Sequence, residues 1–322
     1  MPSVHGISLA VDQVTHQTLH PWLDRIDAPP GSPTVEVRLT RQRTMPKVLD
    51  FVIREPNAWL GRTASGLLIG GVGEAWFSIE GAPPIICCGG LRAKLDPSDG
   101  ERIRLLDALV AALRTIGVHT LHAGVVCTDE AALILLGDSG SGKSTTATAL
   151  VSDGCHYLGD DEVLLRESAG ALELLSFWPA FRLTERVLGA FMWLRSHLSK
   201  ADTDPKWELR TAEAFPGQQL HSWQGPTVLL FLARSAAECS RLAPITLSEA
   251  TGLLIAQSTA LGLDCHPNPR EHLQLLARLA HLARCARLEL GREWLSDPIG
   301  AARRLKEAVR SLSLPPRQSE AS

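Results

Sequence analysis

A chain of 322 residues, 45% hydrophobic and 21% charged, has the composition of a globular protein. At roughly 100–200 residues per domain it holds two domains or one large one. A formal net charge of −3 supplies no basic surplus for nucleic acid or an acidic membrane surface. No apolar run approaches the roughly 18 residues of a membrane span. The start Met1-Pro2-Ser3-Val4-His5 lacks the basic and apolar regions of a secretory signal. The seven cysteines are scattered without zinc spacing, so reduced thiols and a cytoplasmic location are expected.

In chain order, the first segment reads as strands and turns. Val35, Val37 and Leu39 alternate with Glu36 and Arg38. Further strands are predicted within Gly66–Gly73, over Glu74–Ile79 and over Ile85–Cys88, the last two separated by Gly81-Ala82-Pro83-Pro84. A helix capped by Ser98 or Asp99 follows, with Ile103, Leu106, Leu109, Val110 and Leu113 on its apolar face and Gly117 at its end. Leu121–Cys127 and Ala131–Leu136 read as a hairpin. A glycine-rich loop comes next, then a helix from about Lys143 to Val151 and a strand over Cys155–Leu158. Val228–Leu232 is a buried strand. Thr246 and Glu249 form a capping box for a helix through Ile255, and Asn268-Pro269 with Glu271 opens another carrying Leu273, Leu276, Leu279 and Leu282 inward. Asp297-Pro298 opens a last helix with Leu305 and Val309 buried. The tail from Leu314 has a disordered composition. These elements predict an α/β chain: a β-rich N-terminal domain over 1–112, a phosphate-loop domain over 113–313 and a tail over 314–322.

The glycine-rich run Gly137-Asp138-Ser139-Gly140-Ser141-Gly142-Lys143-Ser144 satisfies G-x-x-x-x-G-K-S in full and is followed by Thr145. Glycines let successive backbone N–H groups turn toward phosphate oxygens, and the following helix adds the positive end of its dipole. Lys143 reaches the β- and γ-phosphates, and Ser144 offers a hydroxyl to Mg²⁺. With a strand before it and a helix after it, the run predicts ATP binding.

Asp160 and Asp161 follow Ser144 by 16 and 17 residues at the end of the next strand. One carboxylate there can hold Mg²⁺ and the other can take a proton from an attacking hydroxyl. Adjacent residues of a continuing strand point to opposite faces, so both serve only if the chain turns, which Gly159 permits. Most Asp-Asp pairs are solvated turns; the distance from the loop is what marks this one. Transporter-type and ring ATPases place their second acidic motif farther downstream, and shikimate-type kinases separate their acids by one residue.

His122 lies just upstream, in Leu121-His122-Ala123-Gly124. Together, His122, Gly137–Ser144 and Asp160-Asp161 resemble the catalytic core of the HPr kinase/phosphorylase family over about 40 residues, His122 to Val163. Ala123 stands where that family has glycine. After Val163 the family's glycine-rich Glu-to-Asn signature is replaced by Ser176-Phe177-Trp178-Pro179-Ala180-Phe181-Arg182-Leu183. The chain is more similar to divergent HPr-kinase-like proteins, some of which phosphorylate precursor peptides in lasso-type peptide biosynthesis. The resemblance implies a P-loop kinase fold of that type and a Mg²⁺/ATP-dependent kinase with a serine-type hydroxyl acceptor on a peptide or small protein. It implies that Lys143 and the loop amides hold ATP, that Ser144 and Asp161 ligate Mg²⁺, that Asp160 is the general base, and that His122 orients the transferred group. A homo-oligomer is compatible with this reading; nucleic acid and membrane are not expected partners.

Arg182, Arg186, Lys206 and Arg210 are candidate clamps on the transferring group, though each alone reads as a solvated charge. Trp178, Trp193, Trp207 and Trp223 could stack on a peptide or base, with packing the plainer explanation. Two other functions stay open: a small-molecule kinase, and a non-catalytic nucleotide sensor, which would need no base.

Overall fold

The structure is a computed structural model and describes residues 3–4, 7–11, 37–41, 44–55, 58–71, 75–81, 84–90, 100–177, 180–200, 207–258 and 268–312. Among them, no helix is long and apolar enough to cross a membrane. The Ser98 and Asp99 caps, Trp178, Lys206 and the tail from 314 lie outside the described residues. The fold is mixed α/β and separates into two compact units. The first contains the described residues up to Thr120 together with 268–272; the second contains the remainder. The first unit thus extends past the expected limit at residue 112.

The first unit is built on an eight-stranded sheet in the order β1-β2-β3-β8-β7-β6-β5-β4. Its strands are β1 (Ser3–Val4), β2 (Ile7–Val11), β3 (Val37–Arg41), β4 (Asp50–Glu55), β5 (Ala58–Arg62), β6 (Gly66–Gly71), β7 (Trp76–Glu80) and β8 (Ile85–Gly89). Three of the expected strands coincide with β6, β7 and β8, and the Val37–Leu39 alternation falls in β3. Helix α1 (Gly100–Arg114) packs on β6, β7 and β8. Leu109, Val110 and Leu113 are buried as its periodicity requires, and the helix stops before Gly117, which adopts φ 78°.

The chain enters the second unit within β9 (His119–Leu121). The expected hairpin forms from β10 (Gly124–Cys127) and β11 (Ala132–Leu136), paired antiparallel from Gly124↔Leu135 to Cys127↔Ala132. The Thr128 hydroxyl accepts from Ala131 N at 3.0 Å and closes the turn. Helix α2 (Lys143–Ser152), β12 (His156–Gly159), β13 (Val163–Ser168), β14 (Ala171–Ser176) and β15 (Ala180–Leu183) follow. Next come α3 (Glu185–Ala190), β16 (Leu198–Lys200), β17 (Trp207–Arg210), α4 (Thr211–Ala214), β18 (Ser222–Trp223), β19 (Thr227–Arg234) and β20 (Arg241–Pro244). The chain ends with α5 (Leu247–Ser258), α6 (Pro269–Leu282), β21 (Arg284–Leu290), α7 (Glu293–Ser296) and α8 (Pro298–Ser311).

The six-stranded sheet β12-β10-β11-β19-β21-β20 is the centre of this unit. Strand β11 is parallel to β19, and β19 to β21. Alternate residues of these strands feed two cores, as the period of two demands. Leu133, Leu135, Val228, Leu230 and Leu288 meet α2 and α8 on one face. Ile134, Leu136, Leu229 and Phe231 meet α5 and α6 on the other. Two of the three expected caps among the described residues form: Glu249 N donates to Thr246 Oγ1 at 3.2 Å, and Gly300 N to Asp297 Oδ1 at 3.0 Å, whereas Asn268 Nδ2 donates to Arg114 O at 3.1 Å instead of its side chain capping α6. The leucine face of α6 is corrected in detail. Leu275, Leu276 and Leu279 are buried, whereas Leu282 is 52% exposed because the helix ends there and the chain turns into β21.

Asp153 ties the end of α2 to α8 through Lys306 Nζ at 2.6 Å and Arg303 Nε at 2.8 Å. Burial alone would raise this carboxyl, but the two cations outweigh it and hold it below its ordinary value. A depressed carboxyl adds stability above its unfolded pKa of about 3.9 and loses it as pH falls through the folded value. Asp153→Asn is therefore expected to lower the unfolding free energy by about 1 kcal/mol at pH 7. Urea melts repeated down to about pH 3 should show the difference closing.

Candidate functional site

Strand β11 is buried at all five residues and runs directly into the glycine-rich loop. Gly137, Gly140 and Gly142 take φ of 143°, 80° and 114°, which L side chains rarely adopt. A Cβ on Gly137 would sit 2.7 Å from the Leu232 carbonyl oxygen, and one on Gly142 would run into Leu290 Cδ1. Ser141 N donates to Asp138 O at 3.0 Å, and α2 starts with Thr146 N donating to Gly142 O at 2.9 Å. The Ser144 and Thr145 amides of the first turn have no acceptor inside the helix, which makes this end a seat for an anion.

Lys143 is 6% exposed, and its Nζ donates to Gly137 O at 2.6 Å, crossing the mouth of the loop. Asp138 accepts from Gln257 Nε2 at 3.1 Å, so the end of α5 braces the loop. Periodicity gave no reason to choose Gln257, because nothing in the sequence brings residues 119 apart together.

The expected turn at the acidic pair is present. β12 ends at Gly159, Glu162 N donates to Asp160 O at 2.9 Å, and Asp161 adopts φ 67°. The two carboxylates consequently differ. Asp160 is 1% exposed and accepts from the Ser144 hydroxyl at 3.3 Å through Oδ1, with Arg182 N at 3.4 Å from Oδ2. Asp161 is 21% exposed and lies 3.9 Å from Arg182 Nη1. A Cβ on Gly124 would approach Asp160 Oδ1 to 3.4 Å, so the start of β10 passes against the same carboxylate. His122, two residues earlier, is half-buried.

The candidate clamps separate. Arg182 stands beside the acids because β15 pairs with β17 at Arg182↔Glu208 and is anchored by Tyr157 Oη donating to Ala180 O at 2.9 Å. Burial pushes the Tyr157 phenol well above its ordinary value, which keeps it neutral and a hydrogen-bond donor. Arg210 pairs with Glu213 at 3.7 Å. Arg186 faces a cavity of about 550 Å³ whose lining includes Gly142, Thr145, Arg234, Arg292 and Trp294. This cavity opens past the C-terminal ends of β19 and β21, the usual place for ligands in a parallel sheet. Arg234 ends one of those strands and Arg292 follows the other; treating strand ends as a shared crevice would have selected both. The described candidate tryptophans make contacts within the protein. Trp207 Nε1 donates to Glu185 Oε1 at 2.6 Å, Trp223 Nε1 to Pro226 O at 3.2 Å, and Trp193 packs edge-on to Phe215.

Ser144 and Asp160 offer hard oxygen donors of the kind Mg²⁺ prefers. Among the described residues no three His, Cys, Asp or Glu side chains gather into a metal cluster. Two protein donors match an ion that arrives with phosphate and keeps its remaining waters.

No family model matches the chain, and no curated protein matches it. Among solved structures, the HPr(Ser) kinase/phosphatase from Coxiella burnetii aligns at 10% identity and a TM-score of 0.31. The alignment covers 60% of this chain and 93% of that one. A likeness of that size carries no weight for fold or activity, and the chemistry rests on the residues above.

Gly137→Ala is expected to destabilise the second unit by roughly 2 kcal/mol, since it combines a strained φ with a backbone collision at Leu232 O. Thermal unfolding should record the loss, and Gly154→Ala, at φ 90° with no atom near its Cβ, should cost less.

Proposed function

We propose that this chain is a cytoplasmic Mg²⁺/ATP-dependent kinase that transfers the γ-phosphoryl group of ATP to a serine-type hydroxyl on a peptide or small protein. The observation that carries the reading is the Ser144 hydroxyl against the Asp160 carboxylate at the start of α2, with Asp161 turned outward beside it. In this reading the amides of Gly140–Thr145 and the Lys143 ammonium hold the phosphates. The Ser144 and Asp160 oxygens would hold Mg²⁺, which would offset phosphate charge there.

The geometry supports exchanging the two carboxylate roles that the family resemblance implies. Asp160 is enclosed and already faces Ser144, which suits a metal-side group. Asp161 is the more accessible of the two, which suits the base that receives an acceptor from solution. The acceptor oxygen forms its bond to the γ-phosphorus as the bond to the ADP oxygen breaks, and its proton passes to Asp161. Arg182, beside both acids, faces the charge on the transferring group. His122 is placed near that group by the resemblance alone. Phosphoryl transfer asks mainly for positioning and electrostatics, which this set of residues supplies.

The test is incubation with Mg²⁺ and γ-labelled ATP against serine-containing peptides, HPr and free serine. Label on a peptide or protein is expected, and Lys143→Ala should reduce it at least about 100-fold. Asp161→Asn should lower turnover about 10²–10⁴-fold at nearly unchanged ATP affinity, while Asp160→Asn should raise the Mg²⁺ concentration required. Label on free serine alone would indicate a small-molecule kinase. Tight ATP binding without labelling, together with an Asp161→Asn protein that still functions in cells, would leave the nucleotide sensor.

A further inference from the structure

Among the described residues, the cavity beside Gly142 and Thr145 is lined by three arginines, Arg186, Arg234 and Arg292, and one acid, Glu238. Four arginines elsewhere in this unit face carboxylates: Arg166 with Glu173, Arg278 with Glu167, Arg287 with Glu249 and Arg303 with Asp153. In the cavity only Arg292 does so, at 3.3 Å from Glu238. Among the described residues, Arg186 and Arg234 face no acid. Both line the same cavity, and burial and then the Arg186 charge pull the Arg234 guanidinium below its ordinary value. Two like charges held together at a cavity wall repel each other until an anion lies between them.

The order of the sheet sets how a triphosphate at the loop would lie. Asp160 follows β12, on one side of β11; Arg234 and Arg292 stand at the ends of β19 and β21, on the other. A triphosphate whose terminal group lies at Ser144–Asp160 and whose chain follows the loop therefore brings its α-phosphate to Thr145 and its nucleoside into the cavity. The volume of about 550 Å³ is within the range of small-ligand pockets. Leu290 and the indole of Trp294 give it an apolar wall. Trp294 is 3% exposed and fixed by Nε1 donating to Ser240 Oγ at 2.8 Å.

We infer that Arg186 and Arg234 form an α-phosphate seat separate from the Lys143 seat, so that the cavity binds a nucleoside 5′-monophosphate without the help of the phosphate-loop lysine. This deepens the nucleotide reading above and rests on it. It assigns specificity as well as affinity: the pair selects for a phosphorylated nucleoside, and Lys143 selects for the longer phosphate chain.

Calorimetric titration of the full chain with ATP, AMP and adenosine separates the two seats. The proteins are wild type, Lys143→Ala, the double variant Arg186→Ala/Arg234→Ala, and Arg241→Ala. Arg241 is a third exposed arginine facing no acid among the described residues, but it does not line the cavity, so its variant controls for net charge. Wild type should bind AMP at least 10-fold more tightly than adenosine. The double variant should lose that preference and weaken AMP about 10–100-fold, while keeping the advantage of ATP over AMP. Lys143→Ala should do the reverse, keeping AMP affinity and losing the ATP advantage. Arg241→Ala should match wild type in all three titrations. AMP binding as tight in the double variant as in wild type would overturn the seat. ATP affinity unchanged in Lys143→Ala would instead overturn the phosphate-loop reading. Arg186→Lys/Arg234→Lys, which keeps the charge but not the planar fork, should fall between wild type and the alanine pair.

Discussion

The parallel pairing of β11 with β19 determines where the glycine-rich loop can begin. Its register runs from Ala132↔Thr227 to Leu136↔Phe231, so the next residue, Gly137, arrives against the Leu232 carbonyl. Only a residue without Cβ passes there, and the chain leaves the sheet at φ 143°. Each buried aliphatic of β11 adds roughly 1.5–3 kcal/mol to holding that register. A slip by one residue would exchange the two cores and move the loop off the end of α2. The anion seat thus depends on the hydrophobic pattern of a strand that contributes no side chain to it.

From that fixed point the surroundings of the loop divide by charge. Toward β12 lie Asp160 and Asp161 with Arg182 beside them; toward β19 and β21 lie Arg186, Arg234 and Arg292, the last against Glu238. The acidic side suits a cation and a proton, and the basic side suits an anion. In the proposed reading, a triphosphate carrying a cation at its terminal end would lie with that end toward the acids and its α-phosphate toward the arginines.

The site was legible in the sequence where chemistry and local structure coincide. Gly137–Ser144 and the acidic pair could be read because spacing encodes a strand, a loop and a helix, and the turn after Gly159 was required before both acids could act. The elements around it were legible from periodicity and caps, as with Thr246–Glu249 and Asp297–Gly300. What escaped depends on contacts between distant segments. Gln257 reaches Asp138 across 119 residues, and Arg234 gains its neighbour Arg186 only when α3 folds beside the loop. The difference in exposure between Asp160 and Asp161 escaped for another reason. Adjacent identical residues differ only through the backbone, and the left-handed φ of Asp161 is what sends one carboxylate inward and the other out.

That left-handed residue also accounts for how an enclosed and an accessible carboxylate can sit side by side. Asp is among the few side chains that tolerate this region, at a cost of order 1 kcal/mol. The surrounding structure over-determines the conformation: β12 pairs with β10 at Gly159↔Val125, Gly124 closes on Asp160, and the Arg182 amide approaches the same carboxylate from β15. With Asp160 held from three directions, the chain has to leave through Asp161, and the strain falls on the residue that faces outward. A relaxed backbone at this position would continue the strand and point the second carboxylate away from the loop. The local strain is what places two acids of different exposure side by side at the end of β12.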